Sequence, residues 1–220
     1  MKKLYIFSGL GADRRVFKYL DFFGFDVTFI EWIAPKNNEA IEEYAKRLTK
    51  QIHSEKPILI GLSFGGIIAT ELAKQIQTEK IILIASAKTK NEIPFYYRFL
   101  GALQLHKLIP SRLMKQSNFF SFWLFGIKTK EDKELLSEIL KDTDPQFLKW
   151  AINAIVNWRN TTEHENIQHI HGTADRILPI YFAKYDVGVK GGGHFMTINK
   201  FEELDQILKQ ILESSNTVSL

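Results

Sequence analysis

The chain has 220 residues, of which 45% are hydrophobic and 25% charged, and this is enough for one domain with a substantial core. It contains no cysteine, which excludes a disulfide framework, a thiolate nucleophile and a Cys-ligated metal site. The net charge is +4, but basic residues are spread along the chain and interleaved with acidic ones. A nucleic-acid-binding protein would concentrate them on one element, so we expect no nucleic-acid partner.

The apolar run at residues 4–7 is too short for a signal peptide or a membrane helix. No later uncharged apolar run approaches the length that a membrane span needs. We therefore expect a soluble, cytoplasmic protein with no membrane span.

In chain order, six segments are predicted as strands, because their apolar and β-branched residues run together or alternate. They are residues 4–7, 25–32, 57–62, 80–86, 167–171 and 185–190. Helices are predicted between and after them, including one over 14–20 capped by Asp13 and one over 39–53 capped by Asn38. Near-continuous apolar strands that alternate with helices favour a parallel sheet covered on both faces. The predicted fold class is α/β, with a doubly wound, mostly parallel sheet of about six strands.

The stretch between the fourth and fifth predicted strands has a different character. It contains helical patterns, among them 130–140 and 146–158, and its first half is dense in aromatic residues. We interpret residues 91–162 as a helical cap that is inserted into a single domain spanning 1–220.

The sequence Gly61-Leu62-Ser63-Phe64-Gly65 joins the third predicted strand to a helix. In this context G-x-S-x-G predicts a very sharp turn that holds the serine hydroxyl clear of the sheet edge. Such a turn forces Ser63 into a sparsely populated backbone conformation and brings the residues two before and two after it close together. Gly61 and Gly65 provide the space that this requires.

A serine hydroxyl is a poor nucleophile until a base removes its proton, and the base must be held by a third group. In a parallel sheet these partners must lie on loops at the carboxyl ends of strands, where the Ser63 turn opens. Asp175 follows the fifth predicted strand, and His194 follows the sixth after three glycines. The sequence therefore predicts a Ser63, Asp175 and His194 constellation.

These motifs resemble those of the α/β-hydrolase superfamily. Residues 171–175 (His-Gly-Thr-Ala-Asp) with Pro179 are similar to its acid loop, and residues 193–195 (Gly-His-Phe) to its histidine loop. Residues 8–11 (Ser-Gly-Leu-Gly) lie where the superfamily has H-G-x-G, so Ser8 replaces a common histidine.

The resemblance implies an α/β-hydrolase fold in which Ser63 is the nucleophile, His194 the general base and Asp175 the orienting carboxylate. It also implies an oxyanion hole formed by the backbone N–H groups of Leu10 and Phe64. The departure at Ser8 bears on the geometry of the oxyanion loop rather than on the triad.

The implied activity is cleavage of an ester or thioester of a small, largely apolar acyl compound through an acyl-serine intermediate, with no cofactor and no metal. The aromatic cap implies an apolar or aromatic group in the substrate. The same triad also serves acyltransferases, amidases and C–C bond hydrolases. A non-catalytic ligand-binding or scaffold protein that retains the fold is a further alternative, and the chain is expected to be a monomer or a homodimer.

Two further histidines, His169 and His171, lie two residues apart and so share one face of the fifth predicted strand. They lack the H-x-H-x-D-H spacing of a metallohydrolase, since no histidine follows Asp175 directly. We expect them to have structural or supporting roles.

Overall fold

The computed structural model describes residues 1–108, 110, 113 and 115–213. Within these residues one six-stranded parallel sheet has the order β2-β1-β3-β4-β5-β6. The strands are β1 Lys2–Phe7, β2 Phe25–Phe29, β3 Ile58–Leu62, β4 Lys80–Ile84, β5 Ile167–Gly172 and β6 Val187–Val189. The structure confirms the predicted fold class and the predicted position of every strand.

Helices cover both faces of the sheet, and further helices lie in the stretch between β4 and β5. In chain order these are α1 Ile41–Leu48, α2 Phe64–Ala73, α3 Phe95–Ala102, α4 Phe119–Phe125, α5 Lys130–Asp142, α6 Pro145–Val156, α7 Met196–Asn199 and α8 Phe201–Glu213. Successive strand side chains point to opposite faces, so β1 buries Ile6 against one layer and Phe7 against the other. The first layer includes α8 and the second includes α1 and α2. None of the helices in the described ranges is both long and apolar enough to cross a bilayer.

Local signals predicted one helix start correctly and another wrongly. Asp13 caps the 3-10 turn Arg14–Phe17, because its Oδ1 accepts the N–H of Arg15 at 2.9 Å. Asn38 does not cap α1, which begins at Ile41 after Ala40 and has no side-chain cap. Asn38 lies instead in the preceding turn with a φ of 55°, a conformation that asparagine tolerates better than most residues.

The described chain between β4 and β5 is helical and carries α3 to α6. The two helical patterns predicted over 130–140 and 146–158 are present as α5 and α6, and each helix begins at a side-chain cap. Thr129 Oγ1 accepts the N–H of Asp132 at 3.1 Å, and Asp144 Oδ1 accepts the N–H of Phe147 at 2.6 Å. The boundaries 91–162 of the predicted cap stay a prediction.

An aromatic cluster fixes α6 on the sheet domain. The ring of Phe64 lies 6.0 Å from the rings of both Phe147 and Trp150, and the ring of Tyr44 lies 4.2 Å from that of Trp150. The indole N–H of Trp150 donates to the carbonyl of Glu39 at 2.9 Å. Because Phe64 directly follows Ser63, this cluster ties α6 to the turn that carries the serine.

The turn itself depends on close backbone contacts. Ser63 has φ 52° and ψ −120°, which is the sparsely populated conformation that the motif predicted. A Cβ atom on Gly61 would collide with the backbone of Gly65 and Gly66, and one on Gly65 would collide with the carbonyls of Phe7 and Ser8. The two glycines therefore let β3 fold back on α2 and let α2 approach the end of β1.

Gly61→Ala is expected to lower the free energy of unfolding by ~3 kcal/mol, because the added methyl group meets backbone atoms that cannot move aside. Urea unfolding followed by circular dichroism measures the change. Gly9→Ala is the matched control, since its Cβ would meet only the Ser63 Cβ and Leu62 side chain at 3.7–3.9 Å. Equal stability of the two variants would contradict the role assigned to Gly61.

Candidate active site

Ser63 lies at the carboxyl end of β3, in the middle of the sheet. Its N–H donates to the carbonyl of Ile84 at 2.9 Å, and its carbonyl accepts the hydroxyl of Ser86 at 2.6 Å. Both partners lie on β4 or directly after it. The neighbouring strand therefore holds the strained turn from both sides.

The structure brings Ser63, Asp175 and His194 together across 131 residues of sequence. His194 Nε2 lies 2.8 Å from Ser63 Oγ, and His194 Nδ1 lies 2.7 Å from Asp175 Oδ2. When Nδ1–H donates to the carboxylate, Nε2 is left free to accept the serine proton. The arrangement is thus able to activate the hydroxyl and to hold the imidazole in one orientation.

The loops that carry Asp175 and His194 are packed against each other through glycine. The N–H of Ala174 donates to the carbonyl of Gly192 at 2.9 Å, and a Cβ on Gly172 would collide with that same carbonyl. This contact fixes the two loops relative to each other, so that the Asp175 carboxylate lies beside the His194 imidazole.

Asp175 is buried, and both of its carboxylate oxygens have hydrogen-bond partners. Its Oδ1 accepts the N–H groups of Ile177 at 2.8 Å and Leu178 at 2.9 Å, while Oδ2 faces His194. Burial by itself would raise the pKa of Asp175, but the charge and hydrogen bond of His194 and the Leu178 N–H outweigh it, so that the pKa lies below its usual value. The carboxylate is therefore ionised at neutral pH.

The loop after β1 is held by Ser8, the residue at which the sequence departs from the superfamily pattern. The hydroxyl of Ser8 donates to the carbonyl of Ala12 at 2.5 Å, and the N–H of Ala12 donates to the carbonyl of Gly9 at 3.0 Å. Gly11 supplies a φ of 64° within the same turn. A buried serine hydroxyl thus closes this loop from within.

Leu10 and Phe64 line the same cavity as Ser63 and His194. Across the residues that the structure describes, neither of their backbone N–H groups donates to a protein acceptor. Phe64 begins α2, where the helix dipole favours negative charge. Two free donors and a dipole of this sign suit an oxygen that becomes anionic beside Ser63.

Ser63 and His194 form part of the wall of a cavity of about 360 Å³. The rest of the wall is mostly apolar and comes from the sheet edge and from the inserted helices. It includes Val16, Ile67, Tyr97, Phe125, Leu136, Ile139, Leu148, Ile152, Ile155 and Ile177. A wall of this kind suits apolar groups.

Comparison with solved structures decides the fold family. A thermophilic esterase from Thermogutta terrifontis is 17% identical over 99% of this chain and 91% of its own, with a TM-score of 0.69. A carboxylesterase from Nitrososphaera gargenis is 18% identical over 99% and 92%, with a TM-score of 0.68. A meta-cleavage product hydrolase from Pseudomonas fluorescens is 15% identical over 98% and 92%, with a TM-score of 0.66.

The chain has the α/β-hydrolase fold. This confirms the fold that the resemblance implied. The model of an uncharacterised protein family, UPF0227, matches residues 12–93, which include β2 to β4 and the Ser63 turn of this fold. A search of curated proteins finds no match.

Behind the acid loop of this α/β-hydrolase fold lies a buried row of ionisable side chains. His171 Nε2–H donates to the carbonyl of Leu178 at 2.7 Å, and its Nδ1 lies 3.0 Å from His169 Nε2. His169 Nδ1 lies 3.6 Å from Glu92 Oε2, and His171 Nε2 lies 3.8 Å from Asp175 Oδ2. The expected supporting role of the two histidines agrees with these contacts. Glu92 was missed, because nothing in its local sequence marks a buried carboxyl.

Burial sets the protonation of this row. It raises the pKa of Glu92 to about 7, lowers the pKa of His169 to about 3 and also lowers the pKa of His171. Both rings are therefore neutral at pH 7. Among the described residues, no three His, Asp or Glu side chains converge as a metal site requires.

Glu92→Gln is expected to change how stability depends on pH. Between about pH 4.5 and pH 7 the unfolded chain loses the Glu92 proton while the folded chain keeps it, so wild-type stability falls relative to the variant as the pH rises. The relative change amounts to up to ~3 kcal/mol and levels off above pH 7.

Urea unfolding of both proteins from pH 5 to 8 measures this difference. Glu55→Gln, at an exposed loop position, is the control and is expected to show no such trend. A wild-type minus Glu92→Gln difference that is constant over this range would show that Glu92 has an ordinary pKa.

Proposed function

We propose that the protein is a serine hydrolase that cleaves an ester or thioester of a small, largely apolar acyl compound. The observation that supports this most directly is the row of hydrogen bonds from Ser63 through His194 to Asp175 at the wall of an apolar cavity. The similarity in fold to esterases and a carboxylesterase agrees with the proposal.

In this mechanism Ser63 Oγ attacks the acyl carbon while His194 Nε2 takes the hydroxyl proton. The bond to the alcohol or thiol then breaks, and His194 returns the proton to that leaving group. Water next attacks the acyl-serine with His194 again acting as the base, which releases the acid and restores Ser63. Asp175, which is ionised, stabilises the imidazolium that forms in each half of the cycle.

The negative charge of the tetrahedral intermediate requires fixed donors. We assign this role to the N–H groups of Leu10 and Phe64, because both residues line the cavity beside Ser63 and both N–H groups are free to donate. The loop contact between Ser8 and Ala12 positions the first donor, and α2 positions the second.

The inserted helices, which we propose act as a cap over 91–162, set the substrate class. Their contribution to the cavity wall is apolar, with Tyr97, Phe125 and Ile152 as examples. Some aromatic residues of the inserted helices line the cavity, whereas Phe147 and Trp150 anchor α6 on the sheet domain. A short or branched acyl chain fits a wall of this composition better than a charged or sugar-like group does.

Covalent labelling tests the nucleophile. A fluorophosphonate probe is expected to label the wild-type protein at one site per chain, and Ser63→Ala is expected to abolish both the labelling and the hydrolysis of p-nitrophenyl esters. Intact-mass spectrometry counts the labels, and a panel of p-nitrophenyl esters and acyl-CoA thioesters of graded chain length locates the preferred substrate.

Ser137→Ala is the matched control, because its hydroxyl only donates to the carbonyl of Lys133 within α5. Persistent labelling of the Ser63→Ala variant would show that another residue is the nucleophile. A folded wild-type protein whose Ser63 is not labelled would favour a non-catalytic ligand-binding or scaffold protein. Turnover of amides or of C–C bonds without ester turnover would favour an amidase or a C–C bond hydrolase.

Asp175→Asn is expected to lower kcat by about 10³–10⁴-fold while KM changes only a few-fold, because the amide fails to hold His194 in the productive tautomer. Steady-state kinetics on the best ester from the panel separates the two constants. Asp186→Asn, at the carboxylate that pairs with Lys88 outside the triad, is the control. A rise in KM with unchanged kcat would contradict the role assigned to Asp175.

A further inference from the structure

The interleaving of basic and acidic residues stops in one stretch of the chain. Between residues 93 and 130 the sequence has no Asp or Glu, but it has six basic residues and nine aromatic ones. The basic residues are Arg98, Lys107, Arg112, Lys115, Lys128 and Lys130. The expectation of evenly mixed charge is therefore wrong for the first half of the inserted helices.

Several of these aromatic side chains are turned to solvent. Phe95 and Phe99 on α3 are 64% and 63% exposed, and Phe119, Phe120 and Trp123 on α4 are 84%, 63% and 46% exposed. We refer to the three exposed side chains of α4, of which Phe120 and Trp123 stack at 6.0 Å, as the aromatic face. Large aromatic side chains gain from burial, so three of them exposed on one short helix mark a surface that contacts another apolar phase.

The aromatic face belongs to a helix that also lines the cavity. Phe125 of α4 lines the cavity beside Ser63, whereas the aromatic face is exposed to solvent. One helix therefore carries both surfaces.

Cations accompany the aromatic face. The Arg176 guanidinium lies 4.6 Å from the ring centroid of Trp123 and donates to the Trp123 carbonyl at 2.5 Å. The side chains of Arg176 and Lys128 are exposed. Aromatic rings beside snorkelling cations are typical of proteins that rest in the headgroup region of a bilayer, where the ring is half immersed and the cation meets lipid phosphate.

We propose that the aromatic face is a docking surface for a lipid bilayer that carries anionic headgroups. The exposed side chains of Lys128 and Arg176 beside α4 supply the positive charge that attracts such a membrane. A second copy of the chain is disfavoured as the occupant, because a two-fold contact would place the same cations against each other. The proposal does not depend on the hydrolase activity.

Co-sedimentation with vesicles tests this surface. Wild-type protein is expected to bind vesicles of phosphatidylcholine with about one-third phosphatidylglycerol at least tenfold more tightly than pure phosphatidylcholine, and to lose most of this preference in about 0.5 M NaCl. The variant Phe119→Ser/Phe120→Ser is expected to bind the anionic vesicles at least tenfold more weakly. The variant Lys128→Glu, which changes only charge, is expected to reduce the preference for phosphatidylglycerol.

The matched control is Phe23→Ser, which removes a 91% exposed aromatic ring just before β2, at the opposite end of the sheet, and is expected to bind as the wild type does. Ser63→Ala is also expected to bind normally, which separates this proposal from the proposed function. Circular dichroism confirms that each variant is folded.

The fluorescence of Trp123 provides a second readout of vesicle binding. Its fluorescence is expected to shift to shorter wavelength on addition of anionic vesicles, and Trp123→Phe is expected to lack the shift. Equal vesicle binding by the double phenylalanine variant and the wild type would overturn the proposal. So would the absence of any vesicle binding by the wild type, and a dimer by light scattering would then favour a second copy of the chain as the occupant.

Discussion

The close approach of backbone at the Ser63 turn is the constraint on which the rest of the structure depends. Gly61 lets β3 fold back on α2, and Gly65 lets α2 lie against the end of β1. Only with both contacts does the serine reach the positive φ that places its hydroxyl beside His194. The hydrogen bonds from Ser63 to β4 and Ser86 offset part of the strain, so a central and well-packed sheet is what keeps one residue in a costly conformation.

A second constraint is electrostatic. A buried carboxylate is costly unless it is paired, and Asp175 meets this condition with two backbone N–H groups and His194. The buried side chains of Glu92, His169 and His171 lie behind Asp175. They avoid the cost of burying a charge in another way, because burial favours their neutral forms. Below about pH 7 the ionised Asp175 carboxylate therefore has mainly neutral groups behind it.

Much of the fold and the geometry of the site could be predicted from the sequence. The strands are buried apolar runs, and the Ser63, Asp175 and His194 loops carry short-range signals that survive without an alignment. Asn38 was misplaced because a capping residue and a turn residue have the same local preferences, and tertiary packing chose the turn. Glu92 and the aromatic face were missed because burial and exposure depend on which helices meet, and local periodicity does not record this.

The contact between Gly11 and Thr143 has a mechanical consequence. Thr143 follows α5 at its junction with α6, and its side chain fills the space where a Cβ on Gly11 would lie. The junction between α5 and α6 is thus packed against the loop that carries Leu10. A displacement of this junction would therefore also displace the loop that carries Leu10.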